Sequence, residues 1–64
     1  MSQEFAILQH MKEHGSINPL VALERYGCMR LAARIADLRH RGYQIETVIK
    51  KSNDKVYAEY YLGA

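Results

Sequence analysis

Residues 18–42, NPLVALERYGCMRLAARIADLRHRG, decide how this chain folds. Asn18-Pro19 is a sharp helix start. The asparagine side chain accepts from the first turn, and proline fits the first helical position, where its missing N–H has no intrahelical partner to lose. A helix is predicted from Pro19 to about Tyr26, with Leu20 and Leu23 facing the core and Tyr26 near its edge. Gly27 breaks it. The next helix begins near Cys28 to Arg30, ends near Arg41 and is capped by Gly42. Leu31, Ile35 and Leu38 are spaced four and three apart and form its buried seam. Ala32 and Ala36 leave room for a neighbouring helix. Arg30, Ala33, Arg34, Asp37 and Arg41 lie to one side of the seam, with Met29 and His40 further round. The start is poorly capped, because a Cys28 thiol is a weak acceptor where serine or threonine is usual.

Upstream, a first helix is expected from about Gln3 to His14, with Ser2 as N-cap and Glu4 favouring the positive end. Phe5, Ile7, Leu8 and Met11 recur at helical spacing and are assigned to the core. Gly15 suits a left-handed C-terminal cap. Ser16 and Ile17 then make a short extended link, read as a small edge strand. Downstream of Gly42 the period changes. Tyr43, Ile45 and Thr47 alternate with Gln44, Glu46 and Val48, and β-formers run to Ile49. Lys50 to Lys55, KKSNDK, is turn-forming, and Val56 to Leu62, VYAEYYL, reads as a second strand. The class is therefore α+β. Three helices near 3–14, 19–26 and 29–41 precede a C-terminal β-hairpin near 44–62, the order of a winged helix-turn-helix, in a single domain over 1–64.

Composition narrows the function. The chain has 64 residues, 48% of them apolar; a chain so short buries only about 60% of its unfolded surface. No apolar run approaches the ~18 residues of a membrane span. The N-terminus lacks the basic start and long apolar core of a secretory signal. A single cysteine, Cys28, allows no internal disulfide and fits a reducing cytoplasm. His10 and His14 are four apart, a spacing compatible with metal, but only Glu13 is near as a third ligand, so a surface pair is expected and no metal or cofactor. No Ser/His/Asp set, glycine-rich phosphate loop or paired-carboxylate site stands out. The expectation is a binding protein and not an enzyme.

Net charge is +2 and unevenly spread. Residues 1–24 set three glutamates against Lys12, a balance of −2, whereas residues 25–64 set eight basic residues against four acidic ones, a balance of +4. The excess gathers on the third helix and at the hairpin tip, as a one-sided polyanion-binding surface would require. A cationic helix after a tight break is how a helix-turn-helix meets the major groove of duplex DNA. The candidate DNA contacts are Cys28, Met29, Arg30, Ala33, Arg34, Asp37 and Arg41 on the helix, with Lys50, Lys51, Asn53 and Lys55 around the wing tip. Arg30 and Arg34, one turn apart, lead that set. Arginine reads guanine bidentately or holds phosphate, and lysine works as a mobile point charge on the backbone. Arg34 and Asp37, three apart, also suit an intrahelical ion pair. Alternation places Tyr57 and Tyr61 on one face of the last strand and Tyr60 with Leu62 on the other. Such aromatic surplus suits self-association through that strand or through helix one.

The stretch SINPLVALERYGCMRLAARIADLRHRGYQIET resembles the small helix-turn-helix proteins encoded by bacteriophages and prophages. Its S-I-N-P-L start, the L-A-A-R-I-A-D-L-R core of helix three and the G-Y-x-I exit into the wing carry the likeness, which covers about residues 3 to 62. Gly27-Cys28-Met29, without a capping hydroxyl, departs from it. The resemblance implies sequence-specific binding of double-stranded DNA in a bacterial host cytoplasm. The protein would act as a small transcriptional regulator or excisionase-like architectural factor, as a homodimer or cooperative array. The alternative is the same fold used as a protein-interaction module, binding a host or phage protein through helix three or the tyrosine face.

Overall fold

A computed structural model, which describes residues 3–63, places α1 at Gln3–His14, β1 at Ser16–Ile17, α2 at Pro19–Tyr26 and α3 at Leu31–His40, followed by β2 at Ile45–Ser52 and β3 at Lys55–Leu62. Ser2, expected to cap α1, lies outside the described residues. The three strands form one antiparallel sheet in the order β1-β3-β2. β3, the tyrosine-rich strand, is thus the central one, and β2 is an edge.

The turn chemistry is as the sequence dictates. Asn18 Oδ1 accepts from the Val21 N–H at 2.9 Å with Pro19 at the first helical position. Gly27 closes α2 at φ 63°, its N–H donating to Leu23 O, and the following Cys28 N–H donates back to Ala22 O. Only a residue without Cβ takes that left-handed conformation freely.

One core joins all six elements. Ile7, Leu8 and Met11 of α1 meet Ile17 of β1, Ala22 of α2, the Leu31–Ile35–Leu38 seam of α3, Ile45 of β2 and Tyr60 of β3. Burying each large aliphatic side chain contributes about 1.5–3 kcal/mol. Several predicted core positions lie elsewhere. Leu20 and Leu23 are 64% and 50% exposed, because α2 turns Ala22, Val21 and Tyr26 inward instead. A helix whose residues 20–23 are all apolar offers no polar face to fix its rotation, and the small Ala22 lets it sit closest. Ala32 and Ala36 are also exposed, so they form the outer surface of α3 and not a helix contact. Phe5 is half exposed.

The hairpin is longer and tighter than expected. β2 runs through Lys50 and Lys51 to Ser52, which pairs with Lys55, leaving Asn53-Asp54 as the turn. Asn53 sits at φ 54°, a conformation asparagine tolerates better than most residues. Lysine disfavours strands, so the six-residue polar stretch reads as loop on its own; its partners across the hairpin hold it extended.

Two polar ties position these layers. Glu59 of β3 is buried and accepts from Ser16 Oγ at 2.7 Å and from Asn18 Nδ2 at 3.1 Å. Asn18 therefore caps α2 with its oxygen and anchors the sheet with its nitrogen. Tyr26, at the end of α2, hydrogen-bonds His10 Nδ1 of α1 at 2.7 Å. His10 is buried and not one of a surface pair, although its ring centroid lies 4.5 Å from that of His14.

Candidate nucleic-acid interface

The helix-three seam fixes which side of α3 faces outward. With Leu31, Ile35 and Leu38 buried, Ala32, Ala36 and His40 are exposed on the far side, and Ala33 and Asp37 are half-buried beside them. The outward face is mostly alanine, a low surface that lets the helix approach a partner closely. Exposed alanines resemble core ones in a sequence, so the signal that finds them is the 100° step from the seam.

The arginines differ in what they touch. Arg30 is exposed, stands at the N-cap of α3 with φ −126° and ψ 63°, and has no salt bridge or side-chain hydrogen bond among the described residues. Arg34 Nη2 pairs with Asp37 Oδ2 at 3.1 Å, and its Nε is buried without a partner. The pair leaves the Arg34 side chain about one-third exposed (34%). Arg39 reaches away from the outer face: its Nε and Nη2 donate to the Ile45 carbonyl at 3.1 and 2.7 Å, and Nη2 also to Thr47 Oγ1 at 2.9 Å. Arg41 pairs with Glu4 of α1. Three of these four guanidiniums thus have protein partners, and among the described residues Arg30 is the one without.

The start of the helix needs correction. α3 begins at Leu31, and Cys28 and Met29 belong to the turn. Cys28 is 2% exposed and fills the core under that turn, so it does not join the contact surface. Cys28 is therefore no failed cap; its packing explains why a small apolar residue stands there. Met29, 86% exposed, projects next to Arg30. Arg41, held by Glu4, likewise stands apart from the leading contacts.

At the wing, alternation splits the lysines. Lys50 and Lys55 lie on the face that carries Tyr57, Glu59 and Tyr61, while Lys51 lies on the other with Val56. Lys50 is not at the tip: its ammonium sits 5.1 Å from the centroid of the Tyr61 ring. Its interaction with the Tyr61 side chain raises its pKa above the ordinary lysine value. Lys51, Asn53 and Lys55 remain exposed around the turn. The tyrosines do not form an exposed patch. Tyr60 is buried and Tyr57 and Tyr61 are half-buried, as the central position of β3 requires.

No group of three or more metal-ligating side chains occurs among the described residues. No described helix is long and apolar enough to cross a membrane.

The winged helix-turn-helix domain family matches residues 2–64. No curated protein and no solved structure gives a significant match. The chain belongs to the winged helix-turn-helix family, and that membership supports DNA binding in general.

Proposed function

We propose that this protein binds double-stranded DNA sequence-specifically, as a small phage-type transcriptional regulator or excisionase-like architectural factor. It would work in a bacterial cytoplasm and catalyse no reaction. The observation that carries this reading is Arg30: an exposed guanidinium without a partner among the described residues, at the N-terminal end of the helix that enters the groove in this fold. Arg30 reads a base or grips a phosphate there, and the low alanine face behind it lets the helix seat deeply. Arg34 joins by exchanging Asp37 for the nucleic acid. Lys51, Asn53 and Lys55 follow the backbone at the wing. A single module of this kind buries roughly 600–1,000 Å², so useful specificity calls for a second copy on the site.

The test is fluorescence anisotropy on matched specific and random duplexes across a salt series. Binding should weaken with salt, and Lys51→Ala or Lys55→Ala should weaken both duplexes alike and reduce the log–log slope by about 0.9 each. Salt-independent binding, or none, would refute the reading. A second reading has its own observation. Leu20, Leu23 and Met29 are all exposed on the outward side of α2 and the turn after it. They suit a protein partner, which capture after nuclease treatment would reveal.

A further inference from the structure

The outer edge of β2 is a long strand edge with no neighbouring strand among the described residues. β2 pairs with β3 on one side only, and the sheet order leaves its other side open. Two observations fix which backbone groups point outward. Gly63 N–H donates to Gln44 O across the hairpin, so even-numbered residues bond toward β3. The Ile45 carbonyl, an odd one, is taken from the other side by Arg39. The N–H and C=O groups of Thr47, Ile49 and Lys51 therefore face outward. Arg39 covers the edge at Ile45, and nothing described covers it beyond Thr47. Val48 and Ile49 are exposed on this same segment, 40% and 65%. An open edge with exposed β-branched residues is a template for another strand unless something blocks it.

We propose that a second copy of this chain pairs antiparallel with this edge, β2 against β2, about a two-fold axis at Val48. The sequence of the strand, I-E-T-V-I-K-K-S, selects that occupant and that register. Centred on Val48, Thr47 of each copy meets Ile49 of the other, and both residues carry outward-facing backbone groups, so the hydrogen bonds match. Glu46 of each copy falls opposite Lys50 of the other. Two ion pairs then flank a Val48–Val48 contact on one face, since 46, 48 and 50 share that face. The centres at Thr47 and at Ile49 also match hydrogen bonds, but neither sets Glu46 against Lys50. An isologous contact of this kind closes as a dimer and does not propagate. Because Arg39 stops the pairing at Ile45, the interface is short and belongs to the weak class. This inference gives a surface to the second copy invoked above, and its test contains no DNA, so it can fail while the DNA reading stands.

Sedimentation velocity of the full chain, up to about 1 mM, is the measurement. The wild type should dimerise reversibly. Glu46→Lys sets like charges opposite each other, and so does Lys50→Glu; each should weaken the dimer about tenfold. The double variant restores both pairs and should return to within about threefold of the wild type. An equimolar mixture of the two single variants should form a heterodimer, because positions 46 and 50 are both basic in one copy and both acidic in the other. Ile49→Pro, which removes an outward donor at an edge where proline is tolerated, should abolish dimers while circular dichroism stays unchanged. A strictly monomeric wild type, or single variants whose mixture does not associate, would overturn the proposal.

Discussion

The two ends of α3 are chemically alike and physically opposite. Each carries arginine, yet the Arg30 side chain at the front has no partner among the described residues, whereas Arg39 at the back makes three hydrogen bonds to β2 and Arg41 pairs with α1. A guanidinium offers five donors in a fixed fork. Where the chain supplies acceptors in that geometry, the residue becomes structural; where it supplies none, the donors are left for a ligand. Charge density therefore does not say which guanidinium is free for a ligand; the protein partners of each do.

The largest effect should fall at the front. Arg30→Ala is expected to cost about 1–3 kcal/mol of DNA affinity, with relaxed specificity at one position if the contact is to a base. The stability of the variant should stay within about 0.5 kcal/mol of the wild type, as for a surface position without partners. Anisotropy and thermal melting on the same samples separate the two. An Arg30→Ala protein that binds unchanged would remove the front of the helix from the interface.

Arg39→Ala should show the converse. Losing charged hydrogen bonds to a backbone carbonyl and a hydroxyl on a partly exposed strand should cost about 1–2 kcal/mol of stability. For a domain of this size that lowers the melting temperature by roughly 4–8 °C per kcal/mol. DNA affinity measured well below the melt should change far less than for Arg30→Ala. Equal losses of affinity in the two variants would erase the distinction between the ends.

Much of this architecture is legible in the sequence because it rests on local signals. Asn18-Pro19, Gly27, Gly42 and the change of period after Gly42 each act within a few residues, and the elements they bound can be read nearly to the residue. Rotations and partners cannot. An apolar run from Leu20 to Leu23 does not tell which side of α2 faces in; that is settled by α1 and β3, against which the helix packs. Likewise, nothing near Arg39 in the sequence announces that Ile45 will present its carbonyl there. Glu59 is the clearest case: its partners Ser16 and Asn18 are more than 40 residues away, so only the folded sheet shows why an acid stands among tyrosines. Within the candidate interface, the fold and the placement of α3 are readable, but the division of its arginines is not.

A third, smaller effect concerns what lies behind the front end. Tyr26 closes α2 just before the turn to Arg30 and is held by His10. Burial lowers the His10 pKa below the ordinary value of 6.5, helped by His14 and Arg25 and opposed by Glu13 and Glu59. A depressed histidine is neutral in the folded state, so on acidification the unfolded chain takes the proton first. The stability is complete above 6.5, declines as pH falls through that value, and levels off below the native pKa. Urea midpoints taken from about pH 8 to pH 5 should fall with pH in the wild type. His10→Gln keeps a hydrogen-bonding group for Tyr26 but cannot titrate, and its profile should be shallower by this one group. An unchanged slope would show that His10 is not the group responsible.

The smallest effect should be at Arg41, and it tests the comparison most severely. Arg41 and Glu4 join the back of α3 to α1 through side chains that are 68% and 18% exposed. Solvent screens such a pair, and its expected coupling is no more than about 1 kcal/mol. A double-mutant cycle with Glu4→Ala and Arg41→Ala, read by chemical denaturation at low and high salt, isolates that coupling; salt should shrink it. The same Arg41→Ala protein should bind DNA with almost wild-type affinity and an unchanged salt slope, because its charge is already matched by Glu4. If instead the slope falls by a full phosphate contact while the coupling to Glu4 is absent, the ion pair gives way when DNA binds. The back of the helix would then be part of the interface, and the opposition between the two ends would reduce to Arg39 alone.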